Sequence, residues 1–338
     1  MITFNQKQLF EKVTNALEQI KYNPEPTELY APISYVLSLG GKRIRPVLML
    51  MAYNLYKENV EAILPNAIGL EMYHNFTLLH DDLMDRAEMR RGKACVHKKW
   101  DDNTAILSGD TMLILAYRLF TEHRTAETDK AHEYIDANAE KRALHTFTEA
   151  TLGVCEGQQY DMEFENRNDV TVEEYINMIR LKTSVLLAGA VKIGAELAGA
   201  DEDDANALYE YGLKMGLAFQ LQDDLLDVYG DPTVFGKKIG GDILCNKKTF
   251  MLINALHLAN PEQKAHLESW INAASFVLEY KIAAVTAIYD AIGIKQLAEK
   301  RIETYFQEAL AMLDNVKVEE CRKTPLREFA HWLMGRKY

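Results

Sequence analysis

The stretch YHNFTLLHDDLMDRAEMRRG occupies residues 73–92, and we take the rest of the chain to be arranged around it. An α-helix turns by about 100° per residue, so Asp81 and Asp85 lie on one face with their Cβ atoms roughly 5–6 Å apart and with Asp82 beside them. Like charges held that close raise each other's pKa unless a cation neutralises them. Because hard oxygen ligands suit Mg²⁺, the pattern predicts a magnesium site on this helix.

The same acidic spacing recurs at Asp223, Asp224 and Asp227 in FQLQDDLLDVYGD, residues 219–231. A single copy of this pattern is as readily the solvated acidic end of a helix. Each copy here lies within an apolar helical run, however, where an unpaired cluster of carboxylates is costly. We therefore expect two helices that face each other and hold several Mg²⁺ ions around a diphosphate.

Composition narrows the class of protein. The chain has 338 residues, eight prolines and no linker rich in Pro, Gly or Ser, so we predict one domain over residues 1–338. Long runs of good helix formers predict an all-α fold. The net charge of −12 disfavours non-specific binding to nucleic acid or to an anionic membrane. Positive charge is concentrated at 42–45, 90–93 and 237–248, which indicates anion sites inside an acidic protein.

Cysteine usage and hydropathy bear on the location. The four cysteines are far apart in sequence and show no metal-ligand spacing, which favours a reduced, cytoplasmic protein; they are Cys95, Cys155, Cys245 and Cys321. The N-terminus MITFNQKQLFEKV has no basic segment followed by an apolar core, so we expect no secretion signal. No run approaches 18 uninterrupted apolar residues, so we expect no segment that spans a membrane.

Two further features of the first half suit an anionic ligand. The segment GGKRIRP, residues 40–46, sets Lys42 and Arg45 beside two glycines, and fixed cationic donors of this kind can converge on diphosphate oxygens. The alternative is a plain helix boundary with a solvated basic tip. His74 lies two turns before Asp81 and projects from the same face, which makes it a candidate anion contact, although a helical histidine by itself is more often structural.

The second half carries comparable signals. Residues 173–198 are predicted to form one helix, for which Thr171 is the expected N-cap. Lys182, in LKTSVLL, is a lysine in this apolar helix, and the alternative for it is a side chain that extends to the surface. The segment 230–249 is rich in Gly and Lys and suits phosphate contact, but its spacing is not that of a P-loop. The acidic helix end at 158–165 is interpreted as a solvated face, from which Gln158 and Asp161 could still contact the site.

In this order, the motifs resemble the trans-isoprenyl diphosphate synthase family, the head-to-tail polyprenyl synthases. The resemblance runs from about residue 40 to residue 249 and is carried by GGKRIRP, EMYHNFTLLHDDLMDRAEMRRG, KT, FQLQDDLLDVYGD, and GKKIGGD followed by NKKT. It implies a single-domain helical bundle with the two acidic helices facing each other across a deep central cavity. It also implies a homodimer with several Mg²⁺ ions in each active site.

The resemblance assigns roles to particular residues. The isopentenyl diphosphate site would consist of Lys42, Arg45, His74 and Arg91. The allylic diphosphate would contact Arg90, Lys182, Thr183, Gln220, Lys237 and Lys247. Magnesium would be held by Asp81, Asp85 and Asp223, with Asp82, Asp224 and Asp227 completing the two motifs. The residues closest to the chemistry would be Asp81, Asp85, Asp223, Lys182 and Arg90.

The implied reaction joins isopentenyl diphosphate to an allylic diphosphate, which would be dimethylallyl, geranyl or farnesyl diphosphate. Magnesium and the cationic side chains would stabilise the charge on the departing diphosphate, so that the allylic C–O bond ionises. The alkene of isopentenyl diphosphate, held in reach, would attack the resulting cation. The family assigns the final proton removal to the released pyrophosphate, so no protein general base is expected.

The resemblance also bears on product length. In this family, bulky side chains four and five positions before the first DDxxD form the floor of the tunnel that receives the growing tail. Phe76 lies five positions before Asp81, Thr77 lies four before, and Tyr73 lies about one turn deeper. A phenylalanine beside a small residue resembles synthases that stop at twenty carbons, with farnesyl output nearly as well matched. The alternative for Phe76 is ordinary core packing, and one side chain can serve both purposes.

Other protein classes are each expected to differ from this sequence in a particular feature. A longer-chain polyprenyl diphosphate synthase would share every motif except the residues at the tunnel floor. A class I terpene cyclase would replace the second DDxxD and would not need an isopentenyl diphosphate site. A non-catalytic partner subunit usually loses the acidic motifs, and an acidic metal-buffering or scaffold protein would not need arginines and lysines among its carboxylates.

Overall fold

The computed structural model describes residues 2–21, 25–122, 135–231 and 239–335. Within these ranges the chain is helical apart from one short hairpin, which confirms the predicted all-α fold. The helices are α1 (Gln6–Glu18), α2 (Thr27–Ser38), α3 (Ile44–Asn54), α4 (Leu64–Met84), α5 (Val96–Lys99), α6 (Asp102–Thr121), α7 (Ala137–Glu165), α8 (Val172–Ile179), α9 (Val185–Leu197), α10 (Glu202–Tyr229), α11 (Gly241–Leu244), α12 (Phe250–Leu258), α13 (Pro261–Ile271), α14 (Leu278–Ile292), α15 (Ile294–Asp314) and α16 (Glu320–Met334).

Three smaller elements complete the description. A 3₁₀ turn at Val60–Ile63 precedes α4, and one turn of π-helix at Arg180–Ser184 joins α8 to α9. The strands β1 (Met89–Arg90) and β2 (Lys93–Ala94) pair antiparallel, with Met89 opposite Ala94. This hairpin directly follows the first acidic motif and therefore sets where its two arginines point.

Capping residues fix where several helices begin. Asn5 caps α1 and Thr171 caps α8, and each forms a reciprocal capping box with the residue three positions later. Such a box satisfies two of the backbone N–H groups that a helix start leaves unpaired. The expected N-cap at Thr171 is confirmed, and α8 is therefore held in register ahead of Lys182.

The tertiary contacts group the chain into two compact units. The first comprises Met1–Phe147, Ala190–Ala205 and Lys317–Leu326, and the second comprises Thr148–Gly189, Asn206–Val316 and Arg327–Tyr338. All but one of these boundaries fall inside helices, and the boundary between Val316 and Lys317 lies in the loop between α15 and α16. The prediction of one domain over the whole chain, with a cavity between the acidic helices, stays a prediction, and each unit is described by itself.

In the first unit, α4 packs closely against α6. A Cβ atom added at Gly109 of α6 would lie 2.2 Å from Nε2 of His80 on α4, and one added at Gly69 of α4 would lie 3.0 Å from the carbonyl oxygen of Ala116. Contacts this short leave no room for a side chain. The two glycines thus let the helix that carries the first acidic motif lie directly on its neighbour.

In the second unit, glycines bring α7 and α10 against the π turn and the start of α9. An added Cβ at Gly157 would lie 2.2 Å from the backbone nitrogen of Lys182, and one at Gly216 would lie 2.7 Å from the Cα atom of Ser184. Lys182 and its neighbours are therefore held by backbone contact on both sides. None of the helices among the described residues has the length and apolar character that crossing a membrane requires.

Candidate active site

The first acidic motif lies at the C-terminal end of α4. Asp81 is half-buried, Asp82 is buried, and Asp85 is exposed at the C-cap, where its backbone N–H donates to the carbonyl oxygen of Asp81 at 2.8 Å. Asp81 and Asp85 therefore reach the accessible side of the helix end. Asp82 points inward, away from the common direction that the spacing predicted for all three carboxylates.

Asp82 is occupied by Arg90 of the hairpin. The Nε and Nη2 atoms of Arg90 donate to the two carboxylate oxygens of Asp82, each at 2.7 Å. Burial would lower the pKa of Arg90, but the hydrogen bonds and charge of Asp82 raise it, so the guanidinium stays charged. Both oxygens of Asp82 are therefore engaged and anchor Arg90, and the role of Asp82 as a metal ligand stays a prediction.

Cys95 completes the contacts of Asp82. Burial raises the pKa of the Cys95 thiol to about 11, and the charge of Asp82 together with a hydrogen bond to it adds to this effect. The thiol therefore stays protonated at neutral pH and can donate its S–H hydrogen to Asp82. No sequence pattern indicated this role, since the cysteine is isolated.

The predicted isopentenyl diphosphate residues come together in the first unit around α4. Nη1 of Arg45 lies 3.1 Å from Nε2 of His74. Burial, and then the charges of Arg45, Arg91, Arg90 and Arg43, hold the pKa of His74 well below its usual value. The imidazole is therefore neutral at physiological pH, and its Nε2 atom accepts the hydrogen bond from Arg45.

Arg45 keeps an unused donor in this cluster. Burial lowers the pKa of Arg45 to about 10 against the opposing charge of Glu71, so the guanidinium is still charged at neutral pH. Its Nε–H group is buried and has no hydrogen-bond partner among the described residues. A buried cationic donor without an acceptor is costly unless a ligand supplies one, which suits the predicted anion contact.

The turn before α3 places the remaining predicted cations. Gly41 has φ +136°, and a Cβ atom there would lie 2.8 Å from Nη2 of Arg91, so only glycine fits beneath this guanidinium. Nη1 of Arg91 donates to the carbonyl oxygen of Gly40 in a short hydrogen bond. Lys42 lies in this turn and Arg91 contacts it, and both residues are exposed.

A buried ion pair holds this turn on α4. Nη1 of Arg43 lies 2.6 Å from Oε1 of Glu71, and its Nη2 atom donates to the carbonyl oxygen of Leu37 at 2.8 Å. Oε1 of Glu71 also accepts from Nδ2 of Asn75 at 2.9 Å. The sequence interpretation missed Glu71. The available signal was that Glu71 is the only carboxylate in the apolar run 64–79.

Replacing Arg43 by methionine is expected to lower the free energy of unfolding by about 3–5 kcal/mol, because Glu71 is left buried without its partner. The matched control is Lys12→Met, which removes one partner of the partly exposed pair with Glu61 and should cost no more than about 1 kcal/mol. Urea unfolding measures both variants. Equal losses in the two variants would show that the Arg43 pair does not hold the turn.

Four of the predicted allylic residues lie in the second unit, namely Lys182, Thr183, Gln220 and Lys247, whereas Arg90 lies in the first. Nζ of Lys182 lies 2.6 Å from Oδ2 of Asp161, so the two side chains form an ion pair. Burial would raise the pKa of Asp161, but the charges of Lys247 and Lys182 outweigh it and lower the pKa. Asp161 therefore stays ionised between two lysines. It was expected as a possible contact, and the structure brings it to the predicted lysines.

A chain of hydrogen bonds starts from the π turn. The Thr183 hydroxyl donates to Oε1 of Gln220 at 3.0 Å, and Nε2 of Gln220 donates to Oδ1 of Asp224 at 3.1 Å. The hydroxyl of buried Tyr175 donates to the other oxygen of Asp224 in a short hydrogen bond. Both oxygens of Asp224 are thus engaged within the protein, and its role as a metal ligand stays a prediction.

Asp224 and Tyr175 form the buried end of this hydrogen-bond chain. Burial raises the pKa of Asp224 to about 7, and the charge of Asp242 adds to the effect. Tyr175 was missed from the sequence. The available signal was its position, seven residues before Lys182 on an apolar helix, which parallels the spacing of His74 and Asp81. The chain fixes the orientation of the Gln220 amide.

The last aspartate of the second motif holds the loop that presents Lys247. Oδ2 of Asp227 accepts from the backbone N–H of Asp242 at 2.9 Å, and the N–H of Lys247 donates to the carbonyl oxygen of Asp242 at 2.9 Å. Asp227 thereby orients α11 and the turn after it. Lys247 is exposed, whereas the predicted contact Lys237 lies outside the described residues.

The donor set fits magnesium shared with a substrate. No three His, Cys, Asp or Glu side chains in the described part of the chain come close enough to form a complete metal site. Mg²⁺ does not require one, because it keeps several waters and binds through one or two carboxylates together with substrate phosphates. Asp81 and Asp85 offer such carboxylates on α4, and half-buried Asp223 offers one on α10.

The predicted chain-length residues belong to a cluster of aromatic rings. Tyr73 is fully buried, and its ring centroid lies 5.4 Å from that of Phe76 and 5.6 Å from that of Phe147. Phe147 stacks on Phe120 with a centroid separation of 4.2 Å. Phe76 itself is only half-buried, while the hydroxyl of neighbouring Thr77 bonds the carbonyl oxygen of His74. The sequence interpretation missed the two phenylalanines from α6 and α7.

Comparison with known proteins decides the family. The family model described as polyprenyl synthetase matches residues 26–291, which include all the motifs described above. The chain belongs to the polyprenyl synthetase family. The match takes in segments of both units. The family predicted from the motifs is therefore confirmed.

The relatives of this polyprenyl synthetase agree over nearly its whole length. The geranylgeranyl diphosphate synthase of Methanosarcina mazei is 36% identical over 327 residues, covering 96% of this chain and 95% of the relative. A solved geranylgeranyl pyrophosphate synthase is 42% identical, with a TM-score of 0.91 and full coverage of both chains. The synthase from Corynebacterium glutamicum, solved with isoprenyl diphosphate and magnesium, is 27% identical with a TM-score of 0.82 and 98% coverage of each chain.

These findings confirm two predictions. The all-α fold is that of the solved polyprenyl synthases. The predicted enzyme class is also correct, because the relatives over most of the chain are trans-prenyltransferases of the short-chain type. The roles of individual residues are proposals and are developed next.

Proposed function

We propose that this polyprenyl synthetase condenses isopentenyl diphosphate with dimethylallyl, geranyl and farnesyl diphosphates and releases geranylgeranyl diphosphate and pyrophosphate. The observation that carries the proposal is the buried Arg45 guanidinium, charged, bonded to a neutral His74 and left with an unpaired Nε–H. A terpene cyclase, which takes one diphosphate substrate, has no use for this second cationic site. The relatives of this chain include geranylgeranyl diphosphate synthases, which supports the choice of product.

The two substrates would be held by different side chains. Arg45, Lys42 and Arg91 supply donors for the diphosphate of isopentenyl diphosphate, and His74 keeps Arg45 oriented. Lys182 and Lys247 supply charge for the allylic diphosphate, with Asp161 holding the Lys182 ammonium in place. Fixed cationic donors stabilise a diphosphate most strongly as it departs, because its negative charge is then greatest.

Magnesium, held by Asp81, Asp85 and Asp223, would neutralise further charge on the diphosphate oxygens. Asp82 and Asp224 would act indirectly, since Asp82 positions Arg90 and Asp224 positions Gln220. This division assigns one role to each of the six aspartates, with Asp227 orienting the loop that carries Lys247.

The chemical steps follow from these positions. The allylic C–O bond breaks, and its electron pair leaves with the diphosphate. The alkene of isopentenyl diphosphate then forms the new C–C bond with the allylic cation, and the released pyrophosphate takes the proton that the adduct loses. The carbonyl dipole of Gln220, fixed by Thr183 and Asp224, would stabilise the cation, while apolar walls exclude water.

We also propose a cytoplasmic homodimer. On α6 the side chains of Leu107 and Ile114 lie two turns apart on one face and are 59% and 67% exposed. A row of large apolar side chains this exposed is typical of a surface that another subunit covers. The four cysteines are free thiols, which is consistent with a reducing compartment.

The test of the activity is the release of pyrophosphate from dimethylallyl and isopentenyl diphosphates with and without magnesium. We expect release only when both substrates and the metal are present. Release from an allylic diphosphate alone would indicate a cyclase. No release with either combination would refute a synthase.

Replacing Phe76 by alanine is expected to lengthen the main product by one or more five-carbon units, because the ring at the predicted tunnel floor is removed. Chromatography of the dephosphorylated products measures the change in the wild type and the variant. The control is Phe10→Ala, which removes another half-buried phenylalanine, from α1, and should leave the product length unaltered. Unchanged length in Phe76→Ala would assign Phe76 to ordinary core packing.

A further inference from the structure

A cavity in the first unit has no part in the reaction described above. It has a volume of ≈ 440 Å³ and lies among the N-terminal turns of α7, the C-terminal half of α9 and the start of α10. This volume is within the range of small-molecule sites. The polar side chains that line it and carry the argument are Arg142, His145, Thr146, Lys192 and Glu196.

Glu196 forms the buried acceptor of this cavity. Its side chain belongs to a residue that is 4% exposed, and the Thr146 hydroxyl lies 3.1 and 3.0 Å from its two carboxylate oxygens. One hydroxyl carries one hydrogen, whereas an ionised carboxylate offers about four acceptor positions. Thr146 therefore satisfies only part of the capacity of Glu196, and a ligand that carries a hydrogen-bond donor would complete it.

Cations surround this carboxylate. Burial raises the pKa of Glu196, while the Thr146 hydrogen bond and the charges of Lys192, Arg142 and His145 oppose the increase. Arg142 and His145 lie three positions, or about one turn, apart on α7, and Lys192 lies one turn before Glu196 on α9. Glu202 is the other acidic group that lines the cavity. It is exposed at the rim, as are Arg142 and His145, so water screens these charges, whereas Lys192 is half-buried. The cavity thus combines several cationic donors with one buried acceptor.

We propose that this cavity binds a phosphate-class oxyanion that retains a P–OH group, which means hydrogen phosphate or a phosphate monoester. Arg142, His145 and Lys192 would donate to the unprotonated oxygens, and Glu196 would accept the P–OH hydrogen. Sulfate has the same shape but carries no hydrogen at neutral pH, so it would leave the oxygens of Glu196 facing an oxyanion without a bond between them. Such a mismatch of buried polar groups discriminates strongly between isosteric ligands.

The test uses the full-length protein without magnesium and measures the rise in Tm, and the calorimetric affinity, with inorganic phosphate and with sulfate. We expect phosphate to stabilise the wild type and sulfate to bind at least about tenfold more weakly. Arg142→Gln and Lys192→Gln should each weaken phosphate binding by about tenfold or more. Glu196→Gln, which keeps the shape and can donate a hydrogen bond, should reduce the preference for phosphate over sulfate.

The matched control is Lys141→Gln, which removes an exposed charge next to Arg142 that does not line the cavity. It should bind phosphate as the wild type does. Equal stabilisation by phosphate and sulfate, or equal phosphate affinity in Arg142→Gln, Lys192→Gln and Lys141→Gln, would overturn the proposal and leave binding of an adventitious ion only. Because prenyl transfer is not the readout, failure of the proposed enzymatic function would leave this result unaffected.

Discussion

Asp81→Ala and Asp223→Ala are each expected to lower kcat by about 10²–10³-fold, the size of effect seen when one group that stabilises developing charge is removed. Each replacement removes a carboxylate that would hold magnesium against the departing diphosphate. Neither side chain is fully buried, so the fold should persist. Steady-state rates with saturating substrates and magnesium measure the loss, and far-ultraviolet circular dichroism checks the helix content.

The control for this pair is Asp203→Ala. Asp203 is an exposed aspartate in the first turn of α10, the helix that also carries Asp223, and it pairs with Lys317 at 3.0 Å. Removal of an exposed ion pair of this kind should leave kcat within about twofold of the wild type. If Asp81→Ala or Asp223→Ala turned over as fast as Asp203→Ala, the proposed magnesium role of that aspartate would be refuted.

Arg45→Gln and Lys182→Gln should affect different substrates. Arg45→Gln is expected to raise KM for isopentenyl diphosphate by about 100-fold, because two charge-assisted hydrogen bonds of about 1.5 kcal/mol each are lost. Lys182→Gln is expected to raise KM for the allylic diphosphate by about tenfold, because one such bond is lost. KM values for both substrates, measured in each variant, give four numbers that can be compared directly.

Each of these variants is the control for the other. A general loss of structure or of metal would raise both KM values in both variants. We expect instead that Arg45→Gln leaves the allylic KM within about threefold of the wild type and that Lys182→Gln does the same for isopentenyl diphosphate. A rise in the same KM for both variants would mean that the two cations serve one diphosphate, contrary to the proposed assignment.

The elements of this fold could be predicted from local patterns. A helix that carries the first acidic motif was expected, and it is observed from Leu64 to Met84, because apolar periodicity and a proline near the start are local signals. The N-cap at Thr171 was found for the same reason. The π turn at Arg180–Ser184 was not expected, since the sequence there reads as one continuous helix. Such turns arise from tertiary packing, which periodicity does not report.

The residue types of the site could be predicted from the sequence, but the residues that each of these side chains contacts could not. The spacing of each DDxxD motif is the same for an aspartate that faces a ligand and for one that faces the protein. Asp82 is turned inward by Arg90 on the hairpin, and Asp224 by Tyr175, which lies 49 positions away in sequence. The Arg43–Glu71 pair likewise joins residues 28 positions apart. Contacts over such separations depend on how helices pack, so a single sequence does not reveal them.

The absence of a side chain at Gly157 restricts how this enzyme can be redesigned. The backbone of Lys182 approaches that position so closely that even a methyl group would push the π turn aside. Libraries aimed at new allylic primers therefore have no usable variation at residue 157, although it contributes no atom to substrate recognition. Changes in primer preference must come from side chains that line the pocket, while the distance between α7 and the π turn stays as it is.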